Sequence, residues 1–209
     1  VGNTALGAFA MKDLVTTSNN TALGYQALRV ATPNSTGANT AIGSQALLDA
    51  TTGNQNTALG MNAGSSITTG DNNTNIGFDS QSSTITASNE ITLGNAANTV
   101  LRCAVTSITS LSDARDKKNI EESTYGLDFV DSLKPVTFEW DTRDGAKVDV
   151  KDLGFIAQDL KEVDDEYLGL VYSENPEKLE ASYGRLIPVL VKAIQEMNAE
   201  IKNLKSKIK

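Results

Sequence analysis

The chain has 209 residues and a formal net charge of −8; Cys103 is its only cysteine, and it has no histidine. The acidic balance argues against a phosphate-binding surface, so we expect no nucleic-acid partner. One cysteine excludes an intrachain disulfide, and without histidine the usual zinc ligand sets cannot form, so we expect no metal and no cofactor. No apolar run reaches the roughly 18 residues that would span a bilayer, so no membrane partner is expected.

Composition divides the chain near residue 100. Only seven of the 44 charged side chains (18 basic plus 26 acidic) lie in residues 1–100, whereas 11 of the 16 glycines do. Two parts with such different compositions predict two structural units. Because Val1 begins in mid-pattern without a signal segment, we also expect the chain to be the C-terminal piece of a longer protein.

Short phrases of the type NTALG recur through the first part and predict a repeat architecture. Their terminal glycines are separated by 17, 19, 17, 17 and 17 residues and are Gly7, Gly24, Gly43, Gly60, Gly77 and Gly94. A unit of this length has room for two strands of about five residues and two turns. Each phrase alternates small or polar with apolar residues and then turns at glycine, which predicts a stacked β-solenoid. We expect one interior ladder formed by Leu6, Leu23, Ile42, Leu59, Ile76 and Leu93.

A disordered low-complexity linker is the alternative for this part, because Asn, Thr, Gly and Ser favour loops and aromatic residues are scarce. A spacing held over six repeats favours the solenoid instead. One thin coil buries little apolar surface, so three copies are expected to wind or pack together. The repeats resemble the head repeats of trimeric autotransporter adhesins and the C-terminal shafts of phage and large-virus fibre proteins. That resemblance, over residues 1–95, implies an elongated homotrimer.

The segment LSDARDKKNI, residues 111–120, follows the repeats and contains a serine and a lysine five positions apart. A lysine amine withdrawn from water loses its charge more easily and can then accept a serine proton. Ser112 and Lys117 are therefore candidates for nucleophile and general base. No histidine is present for the usual triad. The spacing alone has little specificity, and the alternative is that Ser112 or Asp113 caps a short helix.

The next segment predicts a small α+β domain that would gain stability from trimerisation. Its elements are, in chain order, a helix in YGLDFVDSL (125–133), a strand in VTFEW (136–140), a turn in DTRDGAK (141–147), a strand and helix in DLGFIAQDLKEV (152–163) and a strand in YLGLVYS (167–173). Pro135 is expected to stop the first helix.

The C-terminal residues have a heptad pattern. Apolar residues recur at alternating separations of 3 and 4, with isoleucine at a and leucine or methionine at d, and they are Ile187, Leu190, Ile194, Met197, Ile201, Leu204 and Ile208. The pattern predicts a coiled-coil helix over about 183–209. The alternative is an amphipathic helix that lies on its own domain. Isoleucine at a with leucine at d nominally favours two strands, so the expectation of three chains rests on the fibre repeats.

Four motifs of the second part, in this order and spacing, resemble the intramolecular chaperone domain called peptidase family S74, which is found at the C-terminus of phage endosialidases, tail fibres, neck appendages and some large-virus surface proteins. They are LSDARDKKNIEE, LDFVDSLKPVTFEW, GFIAQDLKEV and YGRLIPVLVKAIQEMNAEIKNLKSKI, within residues 111–209. The resemblance implies a domain that assembles three chains, registers the upstream shaft and then cuts itself off. It divides the chain into an all-β repeat shaft (1–100), a connector (101–111) and an α+β chaperone and autoprotease domain ending in a long coiled-coil helix (112–209).

The resemblance also implies roles for individual residues. Ser112 would be the nucleophile and Lys117 the general base. Asp113 and Arg115 complete the SDxRxK pattern and would orient the loop by charge-assisted hydrogen bonds. Scission is expected at Leu111–Ser112 or at Ser112–Asp113, with a slight preference for the second bond.

Two further residues receive weaker predictions. Lys118 is expected to face solvent, and Gln158 is a weak candidate for a supporting contact. Catalysis is expected only after trimer formation, which would bring the loop around Ser112 and Lys117 to attack geometry.

The sequence thus predicts a C-terminal trimerisation and folding chaperone of a viral or phage fibre, located in the virion and released from the shaft by one self-cleavage. Its partner would be itself, as a homotrimer, with a host cell-surface glycan as a further candidate for the shaft. The alternative is a structural or host-binding fibre tip that does not cleave. Glycan hydrolysis is disfavoured, because residues 1–100 hold only five scattered acidic side chains.

Overall fold

The computed structural model describes residues 2–30, 37–104 and 108–208 of the chain. Two compact units follow one another, Val1–Val100 and Leu101–Lys209. Within the described ranges, no helix is both long and apolar enough to cross a membrane.

The first unit is a parallel β-solenoid of about five turns, as the repeats predicted, and not a disordered linker. Its strands stack in chain order and in register, and they are β1 (Thr4–Leu6), β2 (Thr21–Leu23), β3 (Thr40–Ile42), β4 (Thr57–Leu59), β5 (Thr74–Ile76) and β6 (Ile91–Leu93). The prediction of two five-residue strands per repeat is wrong for the described coils. After Gly7, Gly24, Gly43 and Gly60 the backbone adopts left-handed conformations at alternate residues, such as Gln45 (φ 60°) and Leu47 (φ 48°), which prevent a second extended run there.

The solenoid interior is lined by alanine, so the predicted interior leucine ladder is wrong. Ala22, Ala41 and Ala58 at the strand centres are at most 1% exposed, whereas Leu6 is 67% and Leu59 is 47% exposed. Because neighbouring residues of a strand face opposite sides, placing alanine inside puts the threonine and leucine of the same strand outside. The opposite wall already fills the narrow coil with the fully buried side chains of Leu28, Leu47 and Ile67.

Buried asparagines join successive coils of the solenoid. They occupy the position before each strand, are at most 1% exposed, and are Asn20, Asn39, Asn56 and Asn73. Each side-chain oxygen accepts the backbone N–H of the equivalent residue in the next coil at 2.9–3.0 Å. The side-chain amides of the last three donate to backbone carbonyls of the next coil at 2.7–2.9 Å. The ladder therefore satisfies backbone groups that the short strands leave unpaired.

The second unit combines short helices, two small antiparallel sheets and a long final helix. Its elements are α1 (Leu127–Ser132), β7 (Val136–Asp141), β8 (Val148–Gly154), α2 (Ala157–Val163), β9 (Val171–Tyr172), β10 (Glu180–Ala181) and α3 (Leu186–Lys207), with 3₁₀ turns at Ala114–Asp116 and Tyr183–Arg185. β7 pairs with β8, and β9 pairs with β10. The predicted helix, first strand and strand-to-helix segment are present, but the strand predicted over 167–173 is reduced to Val171–Tyr172.

A loop with two acidic residues replaces most of that strand. Asp164 accepts the backbone N–H groups of Leu170 and Val171 at 2.8 and 2.9 Å. Asp165 accepts the N–H of Leu168 at 3.0 Å and the hydroxyl of Tyr125. These side chains take the backbone donors that a longer strand would have used.

Helix α3 has two apolar faces with different environments. One face buries Leu186, Val189 and Ala193, and packs the helix against α1 and the core around Leu160 and Leu170. The heptad residues lie on the other face and are 45–85% exposed. The helix therefore lies on its own unit, as the alternative prediction proposed, but the heptad face stays uncovered within the chain.

Candidate functional site

The loop from Ser112 to Lys117 is folded by a short 3₁₀ turn. Asp113 caps this turn, because its side chain accepts the backbone N–H of Arg115 at 2.9 Å. The backbone N–H of Lys117 closes the turn on the carbonyl of Ala114 at 3.2 Å. The helix-cap prediction for Asp113 is thus confirmed, and the turn folds Lys117 back toward Ser112.

Ser112 and Lys117 are in direct contact. Lys117 Nζ donates to Ser112 Oγ at 2.6 Å and lies 3.3 Å from the Ser112 carbonyl oxygen. The distance from Nζ to Oγ is within the range through which a proton passes between a nucleophile and its base. Both side chains are exposed in the single chain, and the preceding Leu111 is 100% exposed.

Asp113 and Arg115 form a bidentate pair beside this contact. Arg115 Nε lies 3.0 and 3.1 Å from the two carboxylate oxygens, and its Nη2 lies 2.6 Å from Oδ2. The hydrogen bonds from Arg115 lower the pKa of Asp113, and the carboxylate in turn raises the pKa of Arg115. The pair stays charged and braces the 3₁₀ turn at neutral pH, in the position that the motif assigned to it.

The two weaker candidates lie apart from the Ser112–Lys117 contact. Lys118 is exposed, and Gln158 is an exposed residue of α2. In the part of the chain that the structure describes, no hydrogen bond joins Gln158 to Ser112 or Lys117.

Sequence analysis missed the residues that attach the following segment to α3. Glu196 of α3 accepts the first backbone N–H of α1, at Leu127, at 2.7 Å. Gly126 packs so closely on this carboxylate that a Cβ would collide with it. Lys192 also pairs with Glu122 at 3.7 Å. The available signal was Gly126 itself, because a helix that begins after glycine lacks a side-chain cap of its own and requires one from elsewhere.

Comparison with known proteins places this loop in a family. Residues 112–169 match the model of the Peptidase S74 family, described as the chaperone of endosialidase. Over these residues the chain is similar to the S74 family. The match begins at Ser112 and includes the whole SDxRxK loop, while the solenoid and α3 lie outside it. No curated protein and no solved structure gave a significant match to the chain.

The S74 match over residues 112–169 supports a chaperone role in a fibre protein. The family is a peptidase family, and S74 domains occur in phage and viral fibre proteins. A β-solenoid of about five turns precedes the matched residues in the chain.

Proposed function

We propose that this chain is the C-terminal trimerisation and folding chaperone of a viral or phage fibre, and that it cleaves itself next to Ser112 once three copies have assembled. The observation that carries the proposal is the 2.6 Å contact between Lys117 Nζ and Ser112 Oγ at the first residues of the S74 match. Ser112 is the nucleophile, Lys117 is the general base, and the Asp113–Arg115 pair holds the turn that brings them together.

Two uncovered apolar surfaces support the homotrimer. The heptad face of α3 is exposed along its length, as are the outward leucine and isoleucine side chains of the solenoid strands other than the half-buried Ile42. Further apolar side chains lie just beyond the strands and are at least 48% exposed, namely Phe9, Tyr25, Met61 and Phe78. Monomeric proteins rarely expose contiguous apolar surface of this extent, so each surface is expected to meet another copy.

Assembly also explains how an exposed dyad becomes active. A lysine amine in water holds its proton and cannot take one from serine, whereas withdrawal from water favours the neutral amine. In the single chain Lys117 donates to Ser112 and is exposed. Neighbouring copies that cover this loop would remove water from the amine. The neutral amine would then accept the hydroxyl proton of Ser112 instead of donating a hydrogen bond to it.

The scissile bond is one of the two that flank Ser112. In the first route, Oγ attacks the Leu111 carbonyl carbon through a five-membered ring while Nζ takes the hydroxyl proton. The Leu111–Ser112 C–N bond breaks, the amine leaves with that proton, and water hydrolyses the resulting ester to the Leu111 carboxylate and the free hydroxyl.

The second route cuts Ser112–Asp113. Lys117 Nζ lies 3.3 Å from the Ser112 carbonyl oxygen, where it can polarise that bond. Attack by Oγ on its own carbonyl would close a four-membered ring, so the nucleophile in this route is the Ser112 hydroxyl of another copy. As that oxygen bonds to the carbonyl carbon, Lys117 takes its proton, the Ser112–Asp113 C–N bond breaks and the amine leaves with the proton. Water then hydrolyses the ester. The released domain begins with Ser112 in the first route and with Asp113 in the second, so N-terminal sequencing distinguishes them.

Cleavage after assembly fits the physical problem of a stacked shaft. Three chains held together at their C-terminal ends have a high effective concentration, on the order of millimolar, which favours pairing of the shafts from that end. Removal of the clamp after assembly leaves a product that cannot easily refold once it is opened. Its persistence is then set by the unfolding rate.

The test is intact-mass analysis of the full chain, with oligomeric state measured on the same sample. The wild type should give a trimer and two fragments divided next to Ser112. Ser112→Ala and Lys117→Ala should give full-length trimers, whereas the neighbouring controls Ser110→Ala and Lys118→Ala should still cleave. If the wild type forms a trimer and is not cleaved, the self-cleavage is wrong and the alternative of a non-cleaving fibre tip remains. Cleavage that persists in Ser112→Ala would remove the assigned nucleophile.

A further inference from the structure

The flanks of the heptad face of α3 carry two isolated charges. With Ile187 at a heptad a position, Glu200 falls at g and Lys205 falls at the following e position. Both are exposed residues of α3. In parallel coiled coils, a g residue lies beside the e residue five positions later on the neighbouring helix.

Neither charge has an opposite charge within reach on its own helix. Partners on one helix lie three or four residues away. Around Glu200 these positions hold Glu196, Met197, Asn203 and Leu204, and around Lys205 they hold Ile201, Lys202 and Ile208. No ion pair with Glu200 or Lys205 is found within residues 2–30, 37–104 and 108–208. Both charges are therefore available to a neighbouring chain.

The first half of α3 cannot supply such pairs. At its g flank, Leu186 and Ala193 are buried against the helix's own unit, and Val189 beside them is buried too. Glu196 is held by the N-terminus of α1. Only the last heptads present a g flank that is free to meet a second helix.

We propose that Glu200 of each copy pairs with Lys205 of the next copy in a parallel coiled coil, and that this pair sets the alignment of the three helices. The inference rests on the proposed homotrimer, because cyclic symmetry makes the helices parallel and repeats the pair three times. A displacement of one helix by one heptad would place one Glu200 beside Asn198 and would break the two pairs that this helix makes. The apolar layers alternate isoleucine with leucine or methionine and discriminate much less between such alignments.

The experiment uses the full chain in a Ser112→Ala background, so that cleavage does not remove the coil. Sedimentation equilibrium measures the trimer dissociation constant of the parent, Glu200→Lys, Lys205→Glu and the double exchange. Each single exchange turns three attractions into three repulsions, which should raise the dissociation constant on the order of a hundredfold. The double exchange restores opposite charges and should return it to within about threefold of the parent. Lys202→Gln, which removes a charge at an outer position without adding an opposite charge beside Lys205, should leave it within about threefold.

Salt separates an ionic effect from a structural one. In 1 M NaCl the screening length falls to about 3 Å, so the difference between parent and Glu200→Lys should shrink to less than about fivefold. The ion pair is refuted if Glu200→Lys does not raise the trimer dissociation constant, or if the double exchange does not return it toward the parent value. Either result would leave the homotrimer itself unaffected. A monomeric parent chain would overturn both this pair and the proposed homotrimer.

Discussion

Removal of one rung of the buried asparagine ladder should destabilise the solenoid strongly. Asn56 is 0% exposed, its side-chain amide donates to the Gly70 carbonyl at 2.8 Å, and its oxygen accepts from the backbone and side chain of Asn73 at 2.9 and 3.1 Å. Asn56→Ala would leave the buried N–H of Asn73 and the carbonyl of Gly70 without these partners. Each buried unsatisfied group costs about 1–3 kcal/mol, so the expected loss is about 4 kcal/mol.

The control is an asparagine that forms a similar hydrogen bond at the surface. Asn72 is exposed and donates to Asn89 Oδ1 at 2.8 Å. Asn72→Ala leaves its partner accessible to water but places alanine at a left-handed φ of 56°, so we expect a loss of about 1–2 kcal/mol, mostly from backbone strain. The smaller loss is expected even though only this substitution adds strain, because the hydrogen bond that it removes is exposed.

Urea unfolding followed by far-ultraviolet circular dichroism measures both losses, at one protein concentration and in the Ser112→Ala background. With a slope of about 2 kcal/mol per molar urea, Asn56→Ala should lower the midpoint of the solenoid transition by about 2 M at unchanged slope. Fluorescence of Trp140, the single tryptophan, reports on the second unit. Equal losses for Asn56→Ala and Asn72→Ala would refute the reasoning that buried ladder bonds stabilise the coils.

Three further predictions concern other parts of the chain. Trp140 Nε1 donates to Asp152 at 3.0 Å, and this bond is the main cause that lowers the pKa of Asp152. The associated stabilisation is therefore present above the ordinary aspartate pKa of about 3.9 and is lost as pH falls through the lower pKa of the folded state. Trp140 fluorescence should change only in that acidic range, and Asp152→Asn should abolish this change. Gly43→Ala places alanine at φ +135° and in collision with the next coil, so it should lower the free energy of unfolding, measured by heat or urea, by at least about 2 kcal/mol. Gly184→Ala, with open space around it, should change that free energy by no more than about 1 kcal/mol. Ile201→Asp on the heptad face should prevent trimer formation in sedimentation while leaving the circular dichroism of the chain unchanged.

Local patterns along the sequence were sufficient to predict most elements of the fold. The repeated glycine spacing predicted the solenoid, and alternation and turn residues predicted α1, β7 and the passage from β8 to α2. The interior of the solenoid was not predicted correctly, because alternation alone allows either face of TAL to point inward. The signal that decides is the second small residue of each repeat, three positions after glycine, since Ala27, Ala46 and Ala63 are buried like the strand alanines.

The candidate site was predictable only as far as it is local in sequence. The contact between Ser112 and Lys117 spans five residues and follows from one turn of chain, so the motif could indicate it. The contact between Glu196 and the start of α1 spans 69 residues, and no periodicity carries information over that separation. What lies around the dyad in an assembled fibre depends on other copies, which the pattern of one chain does not encode.

Coils that recur every 17 residues give the shaft an outer surface that nearly coincides with itself after a shift of one strand spacing, about 4.8 Å. Two shafts offset by one coil would still match along most coils, so lateral fit distinguishes aligned from offset chains only weakly. One repeat, from Gly24 to Gly43, is 19 residues long and is the one feature that distinguishes a coil from the others by its length. In the proposed homotrimer, a C-terminal unit that holds three chains at the same residue would align all of their coils.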